Sequence, residues 1–198
     1  MSRITVDDRA EEDRGRHRLR CLRSPGLAVF DLDGTLVRGD TLLPFLASFA
    51  WACWRPDRLA AMSPPLALYA TRAISAYSAK QRLLEVVLRG ESAAAIAGHA
   101  DRFSSTWVSP RLRPGMLARL REHQGEGDRV ILPSASPDIY VHAIARLLGI
   151  AEVVCTRVEF RDGRCLGRIS GSNCKGLTKV ERLQSHLGRM EAPEVSYA

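Results

Sequence analysis

A short apolar segment runs directly into two closely spaced aspartates, and this feature restricts the fold more than any other. Residues 27–30 read Leu-Ala-Val-Phe and follow the turn residues Ser-Pro-Gly at 24–26. A continuous apolar run bounded by turn residues is typical of a strand buried on both faces of a parallel sheet. Residues 31–35, Asp-Leu-Asp-Gly-Thr, therefore lie at the carboxyl end of a strand, where open α/β sheets bind their ligands.

Further along the chain, buried strands alternate with helices. Apolar runs at 130–132 and 153–155 predict two more strands, and Pro114 and Pro137 each stand at the start of a helical pattern. The dipeptide Asp162-Gly163 between two short strands predicts a hairpin. This alternation predicts the α/β class, with a doubly wound, Rossmann-like parallel sheet.

Three parts of the chain differ in composition. Residues 1–25 are polar and lack periodicity, so we predict a disordered leader. Residues 41–105 are rich in alanine and leucine and carry few strand signals, so they predict a small, all-helical domain inserted after the first strand. Residues 26–40 and 106–198 then form the sheet-containing core.

Asp31 and Asp33 are the strongest candidates for chemistry. Extended backbone repeats every two residues, so both carboxylates can point the same way. Two carboxylates that lie close together repel each other unless a cation lies between them. Mg²⁺ prefers such oxygen ligands, so we predict Asp31 and Asp33 as magnesium ligands. The competing interpretation is a solvated turn, because Asp and Gly are favoured in turns.

The segment from Phe30 to Leu36 resembles the first motif, DxDxT, of the haloacid dehalogenase superfamily of phosphatases. The resemblance implies that Asp31 is a nucleophile that forms an aspartyl-phosphate. It implies that Asp33 protonates the leaving oxygen and then activates water. Gly34 and Thr35 would contact the substrate within the same turn. A carboxylate can act as such a nucleophile, and a positioned acid or base contributes about 10²–10⁴ in rate.

A second strand end reads Pro-Ser-Ala-Ser-Pro at 133–137. Superfamily members place a Ser or Thr here to hold a phosphate oxygen, so the resemblance assigns Ser134 and Ala135 to substrate binding. Ser136 precedes Pro137, a position typical of a helix N-cap. The competing interpretation is that both serines only cap the helix.

A third motif supplies a positively charged side chain. The superfamily needs a lysine or arginine near residues 173–183 to offset charge during phosphoryl transfer. The pattern around Gly176 assigns this catalytic role to Lys179, with Lys175 as the rival.

A helical insert after the first motif is found in the subgroup that contains phosphoserine phosphatases, and it would act as a cap that excludes water and reads the substrate. The cap residues Arg72, Lys80 and Arg82 could contact a substrate carboxylate or face water, and we expect them to face water. The superfamily's fourth, acidic motif would follow the strand that begins near Glu194, so we expect a chain truncated before that motif.

The resemblance thus implies a magnesium-dependent phosphomonoester hydrolase with a small phosphorylated substrate. The alternative is a catalytically impaired fragment that binds phosphate or a partner without turnover. The formal charge of +7 invites a nucleic-acid interpretation, but the arginines are scattered, so we expect no nucleic-acid partner.

Other features of the composition suggest where the protein works. No uninterrupted apolar run reaches eighteen residues, so we expect no membrane partner. The five cysteines contain no CxxC pair, and no signal peptide is visible, which favours a cytoplasmic protein. We expect a monomer or a homodimer.

Overall fold

The computed structural model describes residues 25–171 and 173–188, together with the backbone of 195–197. Five strands form one sheet in the order β4-β3-β2-β1-β5. β1 pairs in parallel with β2 and β5, β2 pairs in parallel with β3, and β4 is antiparallel to β3. The predicted α/β class with a wound sheet is confirmed. The strands are Leu27–Val29, Arg129–Pro137, Glu152–Arg161, Arg164–Ser170 and Val195–Tyr197.

Eight α-helices are found in the described residues, and six of them lie between β1 and β2. In chain order, α1 to α8 are Leu42–Ala52, Pro56–Ala61, Ser63–Ala70, Ala76–Leu88, Ala93–Phe103, Pro114–Gly125, Asp138–Leu148 and Leu177–Leu187. The first five fall within the predicted insert, although its boundaries at 41 and 105 stay a prediction. The predicted leader lies outside the described residues, except for Pro25. No helix among those described is both long and apolar enough to cross a bilayer.

The second strand is longer than the sequence indicated. β2 extends through Pro137, and α7 begins one residue later than predicted, at Asp138. Pro137 takes the N-cap position, where its extended backbone and missing N–H fit, and no side chain caps this helix. The prediction that Ser136 caps the helix is therefore wrong.

The helical insert is fastened to the β3–β4 hairpin through α4. The turn of this hairpin is Asp162-Gly163, both with positive φ, as the sequence predicted. The Gln81 side chain of α4 donates to the Gly167 carbonyl at 2.9 Å and accepts from the Ile169 N–H at 2.9 Å. One amide side chain therefore bonds two backbone groups of β4, much as a neighbouring strand would.

Gly167 allows this close approach, so we expect Gly167→Ala to destabilise the protein by about 2–4 kcal/mol. A Cβ at this position would lie 2.5 Å from the Glu85 Cα, and φ is +67°. Gly163→Ala is a matched control, because its φ is +73° but a Cβ would have open space. Urea unfolding should show the larger loss for Gly167→Ala. Equal losses would mean that the contact with α4 contributes nothing.

Candidate active site

The loop after β1 exposes its aspartates by burying the residues between them. Phe30 and Leu32 are fully buried, whereas Asp31 and Asp33 are partly exposed. The Leu32 N–H donates to Asp31 Oδ1 at 2.8 Å. Gly34, with φ +79°, turns the chain so that its N–H bonds the Val37 carbonyl at 3.0 Å. The alternation expected for extended backbone therefore turns both aspartates away from the core.

Asp31 forms an ion pair with Lys179. The Lys179 Nζ lies 2.8 Å from Asp31 Oδ1, with 22% of the lysine side chain and 45% of the aspartate side chain exposed. Lys179 is the third residue of α8, whereas Lys175 precedes this helix and is exposed. Of the two lysines that the sequence left as rivals, Lys179 is the one that contacts Asp31.

Asp33 is held by two hydroxyl groups that sequence reasoning did not assign to it. Its Oδ1 accepts from the Thr41 N–H at 2.9 Å and from the Thr41 hydroxyl at 2.8 Å. Its Oδ2 accepts from the Ser136 hydroxyl at 2.5 Å. Burial raises the pKa of Asp33 above its ordinary value of 3.8, because the lost hydration outweighs these hydrogen bonds. The environment of Asp33 thus favours the protonated form more than water does.

The raised pKa of Asp33 predicts that Asp33→Asn stabilises the protein at neutral pH. Above the folded-state pKa, burial of the charged carboxylate costs stability, and this cost disappears once both states are protonated at low pH. We expect Asp33→Asn to raise Tm at pH 7.5. The gain should shrink as the pH falls toward 4. Calorimetry at both pH values checks this, and a lower Tm at pH 7.5 would contradict it.

Tyr140 supports the Thr41 side of this network from the core. It is fully buried, and its hydroxyl oxygen lies 3.2 Å from the Thr41 Oγ1. Burial and the nearby Asp33 charge raise the pKa of Tyr140 well above 10. The Thr41 hydroxyl lies within donating distance of both the Tyr140 hydroxyl oxygen and the Asp33 carboxylate. Helix α7, which carries Tyr140, thereby helps to hold Thr41 against Asp33.

The predicted substrate-binding residues lie around these aspartates. Ser134 is fully buried in β2, and its oxygen accepts from the Ser136 N–H at 3.0 Å, so its own proton can still be donated. Ala135 and Thr35 are partly exposed. Gly34 is exposed, and a Cβ there would meet no atom within 4 Å. Their roles in binding stay a prediction.

The position of one cap residue, Lys80, contradicts the prediction that it faces water. Lys80 does not face water, because its Nζ donates to the Ala135 carbonyl at 2.8 Å and to Asn173 Oδ1 at 2.9 Å. Arg72 and Arg82 are exposed, as expected. The contacts of Lys80 join residues 55 and 93 positions apart, and no local pattern in the sequence indicated them.

The two predicted magnesium ligands, Asp31 and Asp33, differ in how many of their carboxylate oxygens already accept hydrogen bonds or ion pairs. Lys179 and the Leu32 N–H both contact Oδ1 of Asp31, and among the described residues nothing hydrogen-bonds to its Oδ2. A half-exposed carboxylate with one open oxygen suits a hard cation that keeps several waters. Both side-chain oxygens of Asp33 accept hydrogen bonds. The donor set therefore fits Mg²⁺ through Asp31, and a ligand role of Asp33 through its side chain stays a prediction.

Comparison with known proteins places this arrangement in a family. The sequence pattern of the haloacid dehalogenase-like hydrolases matches residues 28–198. The chain belongs to this family. Its resemblance to the superfamily, inferred above from Asp31, Asp33 and the later motifs, is thereby confirmed.

Several known proteins are similar to most of this chain. Protein CicA of Caulobacter vibrioides is 33% identical over 165 residues, which cover 83% of this chain and 73% of CicA. A protein of unknown function from Bordetella pertussis Tohama I superposes with a TM-score of 0.75 and 27% identity, covering 89% of this chain and 80% of that one. A phospho-aspartyl intermediate analogue of phosphoserine phosphatase superposes with a TM-score of 0.56 at 19% identity, covering 84% and 74%, so it shares the fold.

Proposed function

We propose that this hydrolase cleaves phosphomonoesters through an aspartyl-phosphate on Asp31. The observation that carries the proposal is the Asp31–Lys179 ion pair at 2.8 Å, beside an Asp33 carboxyl whose pKa is raised. A partly exposed carboxylate with one open oxygen can attack an incoming phosphorus atom. A neighbouring acid that resists ionisation can protonate the departing oxygen.

In the first step, a carboxylate oxygen of Asp31 forms a bond to phosphorus while the bond from phosphorus to the ester oxygen breaks. Asp33 gives its proton to that oxygen, and the alcohol leaves. In the second step, the Asp33 carboxylate removes a proton from water as the water oxygen attacks the same phosphorus. The bond to Asp31 breaks, phosphate leaves, and both aspartates return to their starting states.

Other side chains stabilise the charges that form during these steps. The Lys179 ammonium lies beside the oxygen atoms that share negative charge, which is the arrangement expected for electrostatic stabilisation. Thr41 and Ser136 hold Asp33 in one position during both proton transfers. Ser134 would donate its hydroxyl proton to a phosphate oxygen. Mg²⁺, bound through Asp31, would supply positive charge to the phosphoryl oxygens.

We also propose that the substrate is a small phosphorylated molecule and that the protein acts in the cytoplasm, as a monomer or homodimer, without nucleic-acid or membrane partners. The helical insert supports a small substrate, because its α4 reaches Ala135, the neighbour of Ser134 in β2, through Lys80. The scattered arginines of the sequence support the absence of a nucleic-acid groove.

Phosphate release from a panel of monoesters tests the proposal. The panel contains an aryl phosphate, phosphoserine, a sugar phosphate and glycerol phosphate, each with Mg²⁺ or with EDTA. We expect turnover of at least one monoester with Mg²⁺ and its loss with EDTA. Binding of phosphate without turnover of any monoester would contradict the proposal and select the impaired, phosphate-binding alternative.

A further inference from the structure

The chain has only three lysines, and two of them, Lys179 and Lys80, contact residues of the candidate site. Lys179 contacts Asp31, and Lys175 lies near enough to Lys80 for its charge to lower the pKa of Lys80. All other side chains that carry a permanent positive charge are arginines. Lys80 is the one lysine that comes from the helical insert, on α4, and the proposed reaction gives it no role.

The ammonium group of Lys80 is largely withdrawn from water. Burial lowers the pKa of Lys80, and the nearby charges of Asp40 and Asp33 partly oppose this effect. A charged group removed from water is tolerated when it is well hydrogen-bonded, and Lys80 has two strong acceptors at 2.8 Å and 2.9 Å. These two hydrogen bonds therefore compensate for the burial of the Lys80 ammonium group.

The same two acceptors also meet a buried hydroxyl. The Thr156 Oγ1 lies 2.7 Å from the Ala135 carbonyl oxygen and 2.9 Å from Asn173 Oδ1, and it accepts from the Cys174 N–H at 3.1 Å. A hydroxyl has one proton, so Thr156 can satisfy only one of the two acceptors at a time. An ammonium has three protons, so Lys80 can satisfy both.

The two acceptors belong to the two core segments that carry the proposed chemistry. Ala135 lies between Ser134, the proposed phosphate donor, and Ser136, which holds Asp33. Asn173 stands six residues before Lys179 in the segment that leads into α8. Lys80 therefore ties the insert to both segments at once and fixes the distance between them.

We propose that Lys80 is a positioning residue, which aligns the Ser134–Ser136 segment with the segment leading to Lys179. The inference rests on the proposed function, because alignment matters for catalysis only if these segments act together. A misplacement of about 1 Å at a reacting group can cost roughly 10²-fold in rate. We expect Lys80→Met to lower kcat by about 10- to 100-fold, with a smaller change in KM.

The test compares Lys80→Met with Lys80→Arg and with Arg82→Met, an exposed residue of the same helix. Kinetics use phosphomonoesters with acidic, neutral and cationic leaving groups. We expect the same fold-loss of kcat for all three with Lys80→Met, partial recovery with Lys80→Arg, and no change with Arg82→Met. A loss confined to acidic leaving groups would overturn the proposal, because Lys80 would then read the substrate directly.

Amide hydrogen exchange provides a second readout that needs no turnover. In Lys80→Met, exchange should quicken in peptides covering 131–139 and 173–179, and it should not change in Arg82→Met. Unchanged exchange and kinetics would show that the contact is incidental. If the wild type hydrolyses no monoester, the proposed function fails, and exchange still decides whether Lys80 holds the two segments.

Discussion

Asp31→Asn should lower phosphate release by at least about 10⁴-fold, the size of loss seen when a nucleophile is removed from other hydrolases. An amide oxygen is a poor nucleophile, whereas the size and shape of the side chain are kept. The fold should survive the change. The carboxylate is 45% exposed, and ion pairs of this exposure contribute only about 0–1 kcal/mol to stability. The measurement is kcat with the best monoester, together with Tm.

Asp33→Asn is the natural control for this variant, because it removes a neighbouring carboxylate and leaves the nucleophile in place. We expect Asp33→Asn to retain some formation of the aspartyl-phosphate but to hydrolyse it slowly. Asp31→Asn should form none. An Asp31→Asn protein that keeps the wild-type rate, with its mass checked to exclude conversion back to aspartate, would contradict the assignment of the nucleophile.

Lys179→Met should lower kcat by about 10²–10³-fold, the usual cost of removing one group that stabilises a developing negative charge. Its ammonium lies 2.8 Å from Asp31, and its side chain is only 22% exposed, so little water is available to replace it. Methionine has a similar length and keeps the apolar contacts of the lysine stem. The readout is kcat under saturating substrate, at a pH where the wild type is most active.

Lys175→Met is the matched comparison, because both lysines lie near the start of α8 and only Lys179 contacts Asp31. Lys175 is exposed. We expect Lys175→Met to change kcat by less than about threefold, as is usual for an exposed charge. If Lys175→Met were the slower enzyme of the two, the assignment of Lys179 would be wrong.

The parts of the fold that follow from local patterns could be predicted from the sequence. The apolar run at 27–30 predicted β1, because a strand buried on both faces needs consecutive apolar residues. The Asp162-Gly163 pair predicted the β3–β4 turn, because such turns need residues that tolerate positive φ. The order of Asp31 and Asp33 after β1 located the candidate site. Each of these inferences uses residues within a few positions of one another.

The contacts that complete the site could not be predicted in this way. Ser136 precedes a proline and a helix, so a capping role was the natural inference, yet β2 continues through Pro137 and directs the hydroxyl of Ser136 to Asp33. Lys80 stands on a helix with an exposed neighbour, Arg82, and nothing local distinguishes the two. Their difference arises from long-range contacts, because only Lys80 reaches Ala135 and Asn173.

Mass spectrometry of the acid-quenched enzyme is the most direct test of the central claim. The protein is mixed with its best monoester and Mg²⁺, quenched within one turnover, and digested. We predict the mass of one phosphoryl group on the peptide that contains Asp31, its removal by hydroxylamine, and its absence in Asp31→Asn. A phosphoryl group on another residue, or turnover in which no such peptide ever forms, would contradict the account.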